Sequence, residues 1–348
     1  MLAGTGSRSA CVPLTAFVTG LGSRSSNLGN LSTGSHWLSQ LRWFARGPSG
    51  IGAGTRVGGA TARRKTLKEM LMAPATDTPF AVGRIGLAAA SGLGVGALCY
   101  YGLGLSNQAG VFEQAALWPQ YVRERIKDTY SYFGGSLILT AGSAYGISRT
   151  PALMNIFMRS GWLPLLGTLA AMIGTAMVTR AIPYEKGKLG AKQLAWAVHC
   201  GVIGGVIAPL TLLGGPIMLR AAWYTAGVVA GMSMVAACAP SDKFLNMGGM
   251  LGAGLGVVFM ASIGSMFLPP HTALGAGLYS VMLYGGLVLF SAFLLHDTQR
   301  IVRLAETHPT YAVQPYDPIN ACMSIYMDTI NIFIRIAMIL AGGGNRRK

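Results

Sequence analysis

The stretch "MSIYMDTINIFIRIAMIL", residues 323–340, is apolar along almost its whole length, yet Asp328 and Arg335 sit inside it. Upstream, "LVLFSAFLLHDTQRI", residues 287–301, carries a second apolar run into a second aspartate, Asp297. A bilayer core needs about 20 apolar residues per helix, so both stretches read as membrane spans. An aspartate near the centre of such a span costs about 2.5–3.5 kcal/mol on insertion scales, and residues that bear this cost face a bundle interior or a water-filled cavity. Asp297, at the end of its run, also fits a solvated boundary position.

The rest of the chain has the same character. Of 348 residues, 52% are apolar and only 11% are charged, where a soluble domain is about a quarter charged. Eight apolar runs of spanning length fall near 82–105, 130–148, 161–180, 194–214, 217–238, 248–268, 276–296 and 321–340. Between them, "SRTP", "RAIPYEKGK", "LGGP", "APSDKF" and "LPPHT" place Pro, Gly and charge where helices stop. The expected fold is an all-α polytopic membrane protein of about eight transmembrane helices. Gly248, Gly252 and Gly256 recur at four-residue spacing, as do Gly92 with Gly96 and Gly201 with Gly205. Small residues so spaced are expected to let helix backbones approach closely.

The net charge of +16 belongs to one segment. Residues 1–68 hold nine Arg and Lys and no acid, which leaves 18 basic against 11 acidic residues beyond it. Ser-rich, Arg-bearing and acid-free is the composition of an organelle transit peptide; "SHWLSQLRWFARG" adds an amphipathic helical spacing, and its "RWFA" resembles an Arg-x-aromatic-small site for matrix-protease cleavage after Phe44. We therefore expect a mitochondrial transit peptide over 1–44 and a basic segment over 45–81, with an uncleaved basic tail as the alternative. Nucleic acid is not an expected partner; membrane lipid is. Cys11, Cys99, Cys200, Cys238 and Cys322 are scattered, odd in number and free of CxxC, which suggests neither a disulfide framework nor a zinc site.

Asp328 shares a helical face with Ser324, Asn331 and Arg335, at offsets of −4, +3 and +7. A polar stripe on an otherwise apolar helix belongs inside a protein. Arg335 lies about 10 Å along the helix from Asp328, a source of field rather than a contact. Arg180, closing the third run, reads either as a partner of the carboxylates or as an interfacial arginine reaching for the headgroups. Were Asp297 and Asp328 to meet, their titrations would couple, because close carboxylates resist simultaneous ionisation. Such a pair holds a proton or, emptied, attracts a hard cation such as Ca2+.

"SIYMDTINIF" resembles the terminal-helix signature of the transmembrane BAX-inhibitor-motif family, and "HDTQ" resembles that family's other aspartate motif. The resemblance extends over about 130–340. It implies six helices around a central C-terminal seventh, here with one extra N-terminal span at 82–105, a surface loop or helix at 106–129 and a basic tail at 341–348. It implies pH-sensitive Ca2+ leak or Ca2+/H+ exchange through paired aspartates, carried onto Asp297 and Asp328, with a partner arginine carried onto Arg180. Where the family has Tyr before the first aspartate, this chain has His296. With its presequence, the whole chain resembles a mitochondrial inner-membrane member.

The function expected is thus a cation pathway of the mitochondrial inner membrane, bearing on calcium homeostasis and cell death. Ca2+ and H+ are the transported ions, and no cofactor is expected. The alternative is a non-transporting scaffold that organises cristae and holds inner-membrane proteins. No GxGxxG, P-loop, HExxH or serine-nucleophile motif stands out, so an enzyme is not expected. The intramembrane aspartyl protease is disfavoured because "LLHD" and "YMD" match neither of its motifs, and Tyr316–Asp317 falls in a loop.

Overall fold

In a bilayer every backbone N–H and C=O must be satisfied internally, which restricts a lipid-exposed single chain to helices or a closed barrel. The computed structural model describes residues 73–344 apart from 75, 103–109, 111–116, 160, 188, 189, 241, 242 and 270. The expected transit peptide, most of the basic segment and the last four residues of the basic tail lie outside the described residues. Within them the chain is helical. The elements are α1 (Thr78–Gly102), α2 (Gln120–Arg149), α3 (Pro151–Met158), α4 (Trp162–Ala181), α5 (Ala191–Ile207), α6 (Gly215–Cys238), α7 (Gly248–Phe267), α8 (Ala273–Ser280), α9 (Gly286–Thr307) and α10 (Pro318–Gly344). A 3-10 turn, Ala208–Leu213, extends α5, and a π-helical turn, Val281–Gly285, joins α8 to α9 without a break.

Among the described residues, seven helical stretches are long and apolar enough to cross a membrane. The remaining expected run, 130–148, lies in α2, whose 30 residues would measure about 45 Å. α2 begins at Gln120, so the last ten residues of the expected surface segment continue straight into that run. Its first turns carry Arg123, Glu124, Arg125, Lys127 and Asp128, which dilute its apolar character. The final connection is shorter than expected: α9 runs on to Thr307 and α10 starts at Pro318, leaving 308–317 rather than 297–320.

α10 is the central element. Its Ile325, Ile332 and Ile336 pack with Leu287, Phe290 and Leu294 of α9 and Ala221 of α6. On its other side, Tyr326 and Ile330 pack with Cys200, Ile203 and Ile207 of α5 and Ala144 of α2. Large apolar side chains of the peripheral helices stay exposed instead, among them Ile85, Ile138, Leu163, Leu194, Trp223 and Met260, as a lipid-facing surface requires.

Lipid tails are as apolar as leucine, so helix association here depends on close packing and on hydrogen bonds between helices. The Tyr326 hydroxyl lies 2.6 Å from the Thr140 hydroxyl, linking α10 to α2. Trp196 of α5 donates Nε1–H to the Ser136 hydroxyl of α2 at 2.8 Å. The glycines expected by spacing divide into those that allow close approach and those that do not. A Cβ at Gly92, Gly96, Gly201, Gly252 or Gly256 would meet nothing within 4 Å, whereas Gly205 lies against the Phe157 ring and Gly248 against His296. The tightest approach is at Gly204, where a Cβ would run into the Ser143 hydroxyl and the Thr140 carbonyl. Spacing alone does not say which side of a helix faces protein.

That contrast is testable by thermal unfolding in detergent. Gly204→Val should lower stability by about 1–3 kcal/mol through overpacking. Gly252→Ala, on an exposed face, should be neutral or stabilise by up to about 1 kcal/mol through helix propensity.

Candidate functional site

α9 and α10 run side by side and bring their aspartates together. Asp297 lies ten residues before the end of α9, and Asp328 ten residues after the start of α10. Ten helical residues measure about 15 Å. Both side chains are buried, at 5% and 6% exposure, so Asp297 is not a solvated boundary residue. The two carboxyl groups are close enough to act on one another electrostatically. Asp328 Oδ2 is buried and has no hydrogen-bond partner. His296 Nδ1 sits 2.9 Å from Asp297 Oδ1, and the far side of that ring approaches Gly248 at the start of α7.

The remaining expected members divide between the pair and a separate polar centre. Ser324 is half-buried one turn before Asp328. Asn331 turns away from the pair: its Nδ2 donates to the Met327 carbonyl at 2.9 Å, and its Oδ1 accepts from Arg335 Nη1 at 2.9 Å. Arg335 is buried, donates Nε–H to the Met282 carbonyl at 3.2 Å, and lies over the Phe290 ring at 4.5 Å. Arg180 is not brought to the carboxylates. It is exposed in the last turn of α4, which packs on α5, and its carbonyl accepts from Asn320 Nδ2 at 3.3 Å. Asn320 is eight residues, about 12 Å, along α10 from Asp328, which places Arg180 at the helix end rather than beside the pair. Its position is that of the interfacial arginine.

Three further polar residues hold this arrangement, and none stood out by composition. Lys192, 1% exposed, donates Nζ to the Ile182 carbonyl at 2.7 Å and pairs with Asp317 Oδ2. The other Asp317 oxygen accepts from the Asn320 backbone N–H at 3.0 Å, capping α10. "DP" at 317–318 is an N-cap followed by a first-turn proline, and that signature was readable. Gln299, also 1% exposed, accepts from the Phe244 N–H at 2.8 Å and donates to the carbonyls of Ala236 and Pro240 at 3.2 and 2.8 Å. Arg125 of α2 donates to the Ala305 and His308 carbonyls, each at 2.9 Å, and so covers the end of α9. Below it Tyr316 shares a 2.9 Å hydrogen bond with Thr129, and burial there pushes the Tyr316 phenol above its ordinary range.

Residues 122–346 match the family model described as the inhibitor of apoptosis-promoting Bax1. The chain belongs to the Bax1-inhibitor family. It is similar to rat growth hormone-inducible transmembrane protein, 56% identical over 294 residues, which cover 83% of this chain and 85% of that one. It is also similar to human Bax inhibitor 1, 28% identical over 220 residues covering 63% of this chain and 86% of the relative. An uncharacterized protein of Helicobacter pylori is 30% identical over 245 residues, covering 68% and 94% respectively. The Bax1-inhibitor match takes in α2 to α10 and leaves α1 outside it.

Because Lys192 is enclosed, losing its partner strands a charge. Asp317→Ala should cost about 3–5 kcal/mol, read as a lowered melting temperature in detergent, while Lys192→Met/Asp317→Ala should recover much of that loss.

Proposed function

We propose that this multi-pass membrane protein forms a pH-sensitive cation pathway of the mitochondrial inner membrane, in which protons and Ca2+ exchange at Asp297 and Asp328. The observation that carries the reading is the enclosed carboxyl pair with an unpartnered oxygen on Asp328. Ionised together, two such carboxylates repel; a proton or a cation between them removes the repulsion. The expected alternatives, proton sensor and cation site, are therefore two states of one site.

Ca2+ is the substrate here, not a resident cofactor. It takes about six to eight oxygen ligands, and among the described residues no group of three or more His, Cys, Asp or Glu gathers to hold a metal. Two carboxyl groups, with water completing the shell, suit an ion in passage. His296 adds a second control. Its Nδ1 lies 2.9 Å from Asp297 Oδ1 and so competes with a cation for that oxygen. Acid works against Ca2+ by filling a carboxyl. The inner-membrane address rests on the acid-free, Ser- and Arg-rich N-terminus, and a Ca2+ pathway there would bear on cell death through the calcium load of the organelle. We read the chain as a transporter rather than an enzyme.

The test is Ca2+ entry into dye-loaded proteoliposomes at equal pH on both sides. Wild-type flux should fall as pH drops, and Asp297→Asn and Asp328→Asn should each reduce it at least tenfold. Flux equal to that of empty vesicles would overturn the pathway and favour the scaffold.

A further inference from the structure

The π-helical turn Val281–Gly285 is where three features meet that the aspartate pair does not use. The first is Arg335. Its guanidinium donates to the Met282 carbonyl on this turn and to the carbonyl and side chain of Asn331, and it fills the place that a Cβ on Gly286 would need. Among the described residues no carboxylate forms an ion pair with it. Two backbone carbonyls, the Asn331 side-chain oxygen and the Phe290 face hold this buried cation.

The second is the outer side of the same turn, which α1 covers. The Tyr284 ring and the Ser280 hydroxyl occupy the space a Cβ on Gly83 would need, and Ser280 Oγ donates to the Pro79 carbonyl at 2.7 Å. Phe80 packs on Tyr279 with ring centroids 6.3 Å apart, and Leu87 joins Leu283 and Tyr284 against Met338 and Ile339 of α10. Just before α1 the chain is tied down as well: Ala273 N–H donates to the Ala73 carbonyl at 2.8 Å. The third feature is position. Arg335 follows Asp328 by seven residues, about 10 Å, on the central helix, and α1 lies outside the family match.

We propose that Arg335 is a charge gate on the pathway and that α1 regulates it by clamping the π-helical turn that holds the guanidinium in place. The proposal rests on the aspartate pathway of the preceding section. A fixed positive charge near the pair opposes a cation moving toward the end of α10, a divalent ion twice as strongly as a monovalent one. π-turns break the regular helical ladder and are found mostly at functional sites. Here the turn offers a carbonyl to Arg335 on its inner side and a ring and a hydroxyl to α1 on its outer side. Loosening α1 therefore frees the turn, and the guanidinium loses its anchor.

The test uses the full chain in lipid vesicles and two readouts, amide hydrogen exchange of residues 281–290 and Ca2+ entry. Gly83→Leu, which wedges α1 off Tyr284, should raise exchange there about tenfold and Ca2+ entry severalfold; Gly92→Leu, on the open face of α1, should change neither. Arg335→Gln should raise both, and adding Gly83→Leu to it should raise entry no further. Arg335→Lys, which keeps the charge, should raise entry less than Arg335→Gln does. Should Gly83→Leu not assemble, Ser280→Ala removes only the bond to Pro79 and should raise exchange about threefold. Unchanged exchange in these α1-contact variants overturns the clamp, and raised exchange with wild-type entry overturns the gate. If wild type and Asp297→Asn both leak no more than empty vesicles, the pathway itself fails and the gate with it, while exchange still decides whether α1 holds the turn.

Discussion

The approach of Asp297 to Asp328 constrains everything around it, because two buried carboxyls cannot be brought together without something to balance them. The helices that carry them must lie side by side through the middle of the bundle, and α10 must be enclosed on both faces so that its polar stripe stays out of lipid. α9 and α6 cover one face of it, and α2 and α5 the other. The ends of the two aspartate helices are then secured at the 308–317 connection, by Asp317 with Lys192 at the start of α10 and by Arg125 over the last carbonyls of α9.

Burial also explains the division of labour along α10. Asp328 has a carboxyl neighbour and an unused oxygen, which leaves it chemically open. Arg335, by contrast, is bound by two backbone carbonyls, the Asn331 side chain and an aromatic face. A buried charge so fully engaged is stationary unless its surroundings move, whereas the Asp328 carboxyl keeps an acceptor without a partner. One helix thus carries a reactive centre and a fixed one, separated by Asn331, which belongs to the second.

Much of this was legible in the sequence. Lipid-length runs punctuated by Pro and Gly marked the helices, and the cost of an intramembrane carboxylate singled out Asp297 and Asp328 before any geometry was known. What periodicity could not show was pairing between distant segments. Arg180 read as well for a partner as for an interfacial residue, because nothing local says that α4 packs away from the carboxylates. Most of the glycines at regular spacing proved to face outward; Gly205 and Gly248 do not, and Gly204, Gly286 and Gly83, which lie outside the pattern, make further close approaches. Lys192 carries no local signal of its role, since its partner lies 125 residues away. The first turns of α2 looked like a surface segment because charge masked a helix that continues inward.

Gln299 connects two of these themes. It is two residues from Asp297 on α9, and its amide bonds to the carbonyls at the end of α6 and to the backbone ahead of α7. An amide satisfied at both its oxygen and its nitrogen resists sliding, since any shift breaks several buried bonds together. Displacement of the Asp297 segment would therefore drag the α6–α7 corner with it, so the carboxyl is mounted on a lever whose other arm is the 239–244 connection. Whatever displaces that corner has mechanical purchase on a carboxyl only about 3 Å further along α9.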